Sequence, residues 1–68
     1  MKIFLIGVAG RGMSRLAEFC LLAGYDVYGS DTSEKPIISR LELLGVKVFK
    51  NHKKSNIATI DIVVKSAG

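Results

Sequence analysis

Apolar and polar residues occur in blocks that predict short strands and helices in turn. Residues 2–7 (KIFLIG) are apolar on both faces, which is typical of a strand covered on both sides. Glycines follow this strand and open a helix. The apolar face of that helix recurs at helical spacing in Met13, Leu16, Ala17, Cys20 and Gly24. Gly24 is also a natural C-terminal stop for the helix.

The middle of the chain repeats this alternation. Residues 25–29 (YDVYG) alternate and are rich in strand-forming types, which predicts a second strand. Residues 30–33 are polar and can bend the chain and cap a helix. Pro36 stands near the first turn of a second predicted helix, and Gly45 ends that helix.

Two further strands are predicted at residues 46–49 and 62–64, with a polar, basic loop over residues 50–60 between them. Strands that alternate with helices imply parallel pairing and right-handed crossovers. The expected fold is therefore α/β, a Rossmann-like three-layer half-fold with two main helices and a parallel four-stranded sheet of order 3-2-1-4. Ligands of such folds bind outside the carboxyl ends of the strands, where the strand order reverses.

The glycine-rich segment over residues 7–12 (GVAGRG) is the first candidate site, because it leads from a strand directly into a helix. The first N–H groups of a helix lack internal partners and carry partial positive charge, so a diphosphate fits there. Glycine permits a phosphate to approach the backbone closely, and Arg11 can add a charge-assisted contact. A tight turn from strand to helix that holds no ligand explains the same residues.

Asp31 is the second candidate, 19 positions after Gly12 at the end of the second predicted strand. An acid at that position can contact a ribose hydroxyl or a base edge. It can also cap the following helix together with its polar neighbours, and the two roles are compatible.

Two alternative functions follow from the same loop. Asp31 is compatible with a nicotinamide-binding half-domain of an oxidoreductase or a nucleotide-sensing module. Against this, Ala9 replaces the second glycine of the nicotinamide fingerprint, and its methyl group would crowd a pyrophosphate. The other alternative is a small interaction module that binds no ligand at the glycine loop.

Composition narrows the partners. The 68 residues carry ten Lys or Arg against six Asp or Glu, a net charge of +4, and no apolar run approaches the roughly 20 residues of a membrane span. We expect no membrane partner and a cytoplasmic location. Cys20 is the single cysteine and is expected in the core. A solvated edge and loop, without a nucleic-acid partner, accounts for the basic cluster of Lys47, Lys50, His52, Lys53 and Lys54.

Residues 7–14 (GVAGRGMS) resemble the G-x-G-G-x-G-M-S loop that opens the muramyl ligases, the Mur ligase family. The resemblance continues through residues 16–18, 24–27, 29–31, 40–41, 44–49, 52 and 61–68. The resemblance therefore covers essentially the whole chain. It is strongest to the branch of the family that adds L-alanine and to the related branch that recycles murein tripeptide.

The resemblance implies that residues 1–68 form an N-terminal domain that binds the uridine diphosphate part of UDP-N-acetylmuramic acid. The implied diphosphate contacts are Gly10, Arg11, Gly12, Met13 and Ser14. The implied uracil and ribose contacts are Ser30, Asp31 and Thr32. Further implied ligand contacts are His52, Ser66, Ala67 and Gly68, although Asn51 replaces the glycine that often precedes the family's histidine.

In full-length ligases of this family, ATP and magnesium bind a central domain, and a C-terminal domain binds the incoming amino acid. The chain contains no G-x-x-x-x-G-K-[ST] segment, so we expect no catalytic residue, metal site or cofactor in it. Four predicted strands, where the complete fold usually has six, indicate a truncated domain that is inactive alone. Its open sheet edges would permit self-association.

Overall fold

A computed structural model describes residues 1–50 and 59–65. The elements follow in the predicted order: β1 (Lys2–Ile6), α1 (Arg11–Leu22), β2 (Asp26–Ser30), α2 (Ile37–Leu44), β3 (Lys47–Phe49) and β4 (Ile62–Lys65). Their bounds differ from the predicted ones by one or two residues, the usual variation at helix and strand ends. The predicted loop over residues 50–60 lies largely outside the described residues.

The four strands form one parallel sheet of order β3-β2-β1-β4. Strand β1 lies in the middle, with Ile6 opposite Ser30 of β2 and opposite Lys65 of β4. The predicted α/β class and the strand order are confirmed. Because the strand order reverses beside β1, the loop that follows β1 lies where ligands of this architecture bind.

Both helices pack against the same face of the sheet. Ile3 and Leu5 of β1 belong to one buried cluster with residues of both helices, since alternate strand residues point to the same face. The other buried members are Val8, Ala17, Cys20, Val27, Leu41 and Val46. Cys20 is a buried core residue, as predicted. On the opposite face, Phe4 is fully buried and its ring stacks on that of Phe49, with 6.5 Å between the centroids.

The sequence predicts the C-terminal end of α2 correctly but not its N-terminal cap. Gly45 ends the helix as predicted, with a φ of 118° and an N–H that donates to the carbonyl groups of Leu41 and Glu42. The expectation that Ser30, Asp31 or their neighbours cap this helix is wrong. Pro36 occupies the N-cap position, and no side chain of the described residues caps the helix there.

Large apolar side chains are exposed near the C-terminal ends of α1 and α2. Leu22 and Leu43 are each 90% exposed, and the Arg40 guanidinium lies 3.4 Å from the Glu18 carboxylate on the neighbouring helix. Leu22 stands at the opposite end of α1 from the glycine-rich loop. No helix in the described ranges has the length and apolarity to cross a membrane.

Gly29 is required by the path of the glycine-rich loop over the sheet. A Cβ at this position would lie 2.7 Å from Cβ of Val8 and 2.8 Å from both of its methyl groups. Val8 is fully buried in the core cluster. A glycine in a strand allows this kind of close approach by another segment.

Replacing Gly29 with alanine is therefore expected to lower the free energy of unfolding by about 1–3 kcal/mol, the usual cost of overpacking a core. Gly12→Ala is the matched control, because a Cβ at position 12 meets no heavy atom within 4 Å. The control is expected to be neutral or to stabilise the helix by about 0.5–1 kcal/mol. Urea unfolding of the two variants measures both effects, and equal losses would contradict the proposed contact.

Candidate functional site

The loop between β1 and α1 is fastened to the end of β2 by the backbone. The N–H groups of Gly7 and Val8 both donate to the Ser30 carbonyl, at 2.8 and 3.0 Å. Gly7 has a φ of 79°, a conformation that side chains disfavour. The N–H of Gly10 then donates to the Gly7 carbonyl at 3.0 Å, which closes a tight turn directly before α1.

The Asp31 carboxylate joins this loop to the segment that follows β2. Its Oδ2 atom accepts the N–H of Ala9 at 2.9 Å, and its Oδ1 atom accepts the N–H of Ser33 at 2.8 Å. The N–H of Asp31 itself donates to the Phe49 carbonyl at 3.0 Å. Asp31 therefore links the ends of three neighbouring strands and is not available as a cap for α2.

Asp31 remains ionised to lower pH than an ordinary carboxyl group. Partial burial alone would raise the pKa of Asp31. The hydrogen bonds from Ser33 and Ala9 and the nearby charge of Lys35 lower the pKa by more than burial raises it. The net effect is a pKa below the usual 3.8. Two backbone donors on one carboxylate favour the charged form in this way.

A cleft of about 450 Å³ opens over the loop and the start of α1. Its lining comes from three segments: Gly7, Gly10, Arg11, Gly12 and Met13 from the loop and helix, Asp31 and Ser33 after β2, and Lys35. Ala9 is buried and is not part of this lining. Its methyl group therefore does not crowd the cleft, contrary to the expectation from the nicotinamide fingerprint.

The start of α1 offers backbone donors to this cleft. The first helical hydrogen bond runs from the N–H of Ser14 to the Gly10 carbonyl at 2.8 Å. The preceding N–H groups, those of Arg11, Gly12 and Met13, have no acceptor among the described residues, as helix geometry requires. The first turn contains no acidic side chain. The arrangement is electrostatically suited to an anion.

The structure describes eight of the predicted site residues and brings five of them together. Gly10, Arg11, Gly12, Met13 and Asp31 line one cleft. Three predicted contacts do not line it. The buried Ser14 donates its hydroxyl to the Arg11 carbonyl at 3.0 Å, Ser30 is fully buried behind the loop, and Thr32 is exposed.

The remaining predicted contacts, His52, Ser66, Ala67 and Gly68, lie outside the described residues. The cleft also includes Lys35, which sequence reasoning missed. Arg11 is the cation that the sequence predicts at this loop, and the structure adds Lys35 as a second cation at the cleft. The available signal was the position of Lys35, four residues after Asp31 in the segment that leads to α2.

The parallel order β3-β2-β1-β4 and the glycine-rich loop at the start of α1 define a Rossmann-like domain with a candidate phosphate-binding loop. A family model described as "Mur ligase family, catalytic domain" matches residues 2–68. The chain belongs to the Mur ligase family.

Individual relatives agree with this assignment. UDP-N-acetylmuramate–L-alanine ligases of Sulfurihydrogenibium sp. (strain YO3AOP1) and Psychrobacter sp. (strain PRwf-1) are 46% and 48% identical over 66 residues, 97% of this chain. The crystal structure of a murein peptide ligase from Psychrobacter arcticus 273-4 superposes with a TM-score of 0.86 at 30% identity, over 96% of this chain. The chain spans only 14% of the length of each of these three proteins.

The hydrogen bonds of Asp31 predict a pH-dependent contribution to stability. Because its native pKa is lower than its unfolded value, the contribution is complete above about pH 4 and is lost as the pH falls through the native pKa. Asp31→Asn is therefore expected to cost about 1–2 kcal/mol at pH 7 and progressively less below pH 4.

Asp26→Asn is the matched control, since Asp26 is an exposed carboxyl at the other end of the same strand. Thermal or urea unfolding between pH 2.5 and pH 7 measures the two differences from the wild type. A constant cost of Asp31→Asn across this range would contradict the assigned role of the charge.

Proposed function

We propose that the cleft binds the uridine diphosphate part of UDP-N-acetylmuramic acid, and that the chain acts as the N-terminal substrate-binding domain of an ATP-dependent UDP-N-acetylmuramate–L-alanine ligase in peptidoglycan synthesis. The observation that carries the proposal is the row of N–H groups from Arg11 to Met13. These three residues line the cleft, and their N–H groups have no acceptor among the described residues. A diphosphate oxygen would complete their hydrogen bonds.

The charges around the cleft support a doubly charged ligand group. Arg11 lies at the start of the helix, and Lys35 borders the same cleft from the segment before α2. Gly12 leaves the backbone accessible, because no atom lies within 4 Å of the position where its Cβ would be. Charge-assisted contacts to phosphate are roughly twice as strong as neutral ones, so these cations would add to the backbone contacts.

The names of the relatives support the alanine-adding branch of the family. The curated relatives at 46% and 48% identity are named UDP-N-acetylmuramate–L-alanine ligases, whereas the murein peptide ligase structure is 30% identical. In ligases of this family, ATP and magnesium are expected to bind a P-loop in the central domain. The sequence contains no such loop, so in this proposal the chain contributes substrate binding and no catalytic residue.

The Asp31 carboxylate does not decide between the nicotinamide alternative and uridine diphosphate. Each of its oxygens accepts one backbone N–H and keeps a second lone pair, and both ligands contain a ribose. Ala9, which counted against a nicotinamide dinucleotide in the sequence, has no influence on the choice, because it does not line the cleft. The similarity of the chain to UDP-N-acetylmuramate–L-alanine ligases favours uridine diphosphate over a nicotinamide dinucleotide.

Titration with UDP-N-acetylmuramic acid, UDP and NADH, followed by amide chemical shifts, tests the proposal. We expect UDP and the full substrate to shift the amide signals of Gly10 to Ser14, since these residues form the start of α1 or directly precede it. NADH is expected to cause little change. Shifts caused by NADH and not by UDP would overturn the proposal in favour of the nicotinamide alternative.

A substitution at the helix start provides a second test. Gly12→Val places two methyl groups in open space on the ligand side of the loop, so it is expected to weaken UDP binding by about tenfold or more while the fold remains intact. Ala23→Val, at the other end of the same helix, introduces the same side chain away from the cleft. Calorimetric titration compares the two variants, and equal UDP affinity in Gly12→Val and the wild type would contradict the assigned loop.

A further inference from the structure

Asp31 is an unusual residue to find in a cleft that suits an anion. A carboxylate repels phosphate, and the family resemblance gives it a different task, contact with the uracil or ribose. Its hydrogen bonds suggest why it is there. Both of its oxygens accept backbone N–H groups, from Ala9 in the glycine-rich loop and from Ser33 in the segment after β2.

The hydrogen bond from Ala9 to Asp31 completes a row of bonds that hold the glycine-rich loop against the rest of the fold. Four successive N–H groups are paired within the fold: Gly7 and Val8 with the Ser30 carbonyl, Ala9 with the Asp31 carboxylate, and Gly10 with the Gly7 carbonyl. The pairing ends where α1 begins, and the next three residues, which line the cleft, have N–H groups without an acceptor among the described residues. The direction of these donors therefore depends on how firmly the preceding four are held.

The Asp31 side chain is itself held in place. Its N–H donates to the Phe49 carbonyl, and its Oδ1 atom closes a turn with Ser33 two residues later. Lys35 offsets part of its negative charge at the edge of the cleft. A carboxylate secured at both oxygens can fix a loop, but it has less freedom to follow a sugar hydroxyl.

We infer that Asp31 is a positioning residue: it fixes the glycine-rich loop through the N–H of Ala9, so that the first N–H groups of α1 are directed at the phosphates of a nucleoside diphosphate. This inference rests on the proposed function, because it assumes that the cleft takes a diphosphate. It differs in assigning Asp31 to the loop and not to the nucleoside. The loss of Asp31 therefore weakens binding of the phosphates, whatever is attached to them.

Two ligands separate these roles. UDP carries the uracil, ribose and diphosphate, whereas inorganic pyrophosphate carries only the charged group. For Asp31→Asn, the positioning role predicts that affinity for both ligands falls by a similar factor, about tenfold. A nucleoside contact predicts a loss for UDP alone, with pyrophosphate unchanged or tighter because a negative charge has been removed.

Asp26→Asn is the control, since it removes the same charge from the far end of β2. Asp31→Ser is the second variant. A serine hydroxyl can accept the N–H two residues later and so preserve the turn with Ser33, but it is too short to reach Ala9. Asp31→Ser is therefore expected to weaken the binding of both UDP and pyrophosphate, and it provides the test if Asp31→Asn fails to fold.

The experiment is a titration of each variant with UDP and with inorganic pyrophosphate, followed by amide shifts, and it includes the ligand-free spectra. We expect the Ala9 amide proton to move upfield in both Asp31 variants before any ligand is added, and both affinities to fall together. A loss confined to UDP, or an unchanged Ala9 signal, would overturn the positioning role and leave the proposed function standing. A wild-type chain that binds neither ligand would instead overturn the proposed function and the inference with it.

Discussion

The Ser30 carbonyl, which accepts the N–H groups of both Gly7 and Val8, is the contact on which the remaining architecture of the site depends. It lies at the end of β2 and is fully buried, so losing either bond would leave a polar group without its partner in the interior. The pair of bonds pulls the loop across the sheet and places Val8 over Gly29. It also sets the point from which the chain turns into α1.

Charge in the cleft follows from this backbone path. The N–H groups of the loop up to Gly10 donate to acceptors within the fold. The N–H groups that follow belong to the first turn of α1, where the helix dipole is positive. Arg11 and Lys35 add positive charge from two different segments. The negative charge of Asp31 is directed into hydrogen bonds with backbone groups, so the cleft can contain a carboxylate and still suit an anion.

The sequence was sufficient for those features that depend on neighbouring residues. Gly45 was identified as a helix end because a left-handed residue there needs glycine, and Cys20 was placed in the core because it stands on the apolar face of α1. The strand order followed from the alternation of strands and helices. These features have local signals, such as periodicity and glycine, that can be read without knowing the tertiary structure.

Features that depend on distant residues could not be predicted in this way. The bond from Ala9 to Asp31 joins positions 22 apart, and no local pattern distinguishes it from a helix cap. The burial of Ala9 and Ser14 depends on the way in which the loop turns into α1, and the place of Lys35 depends on the path of the segment before α2. Side-chain type alone therefore indicates the loop between β1 and α1 but does not show which of its residues line the cleft.

The contact between Val8 and Gly29 has a consequence for how this loop can be altered. A segment that touches only solvent can be exchanged as a unit, whereas this one occupies the volume that a side chain on β2 would otherwise fill. Positions 8 and 29 thus form a size-matched pair. If this loop were moved into another protein, the neighbouring strand of that protein would need a residue as small as glycine opposite Val8. Libraries that vary the loop should therefore sample both positions together.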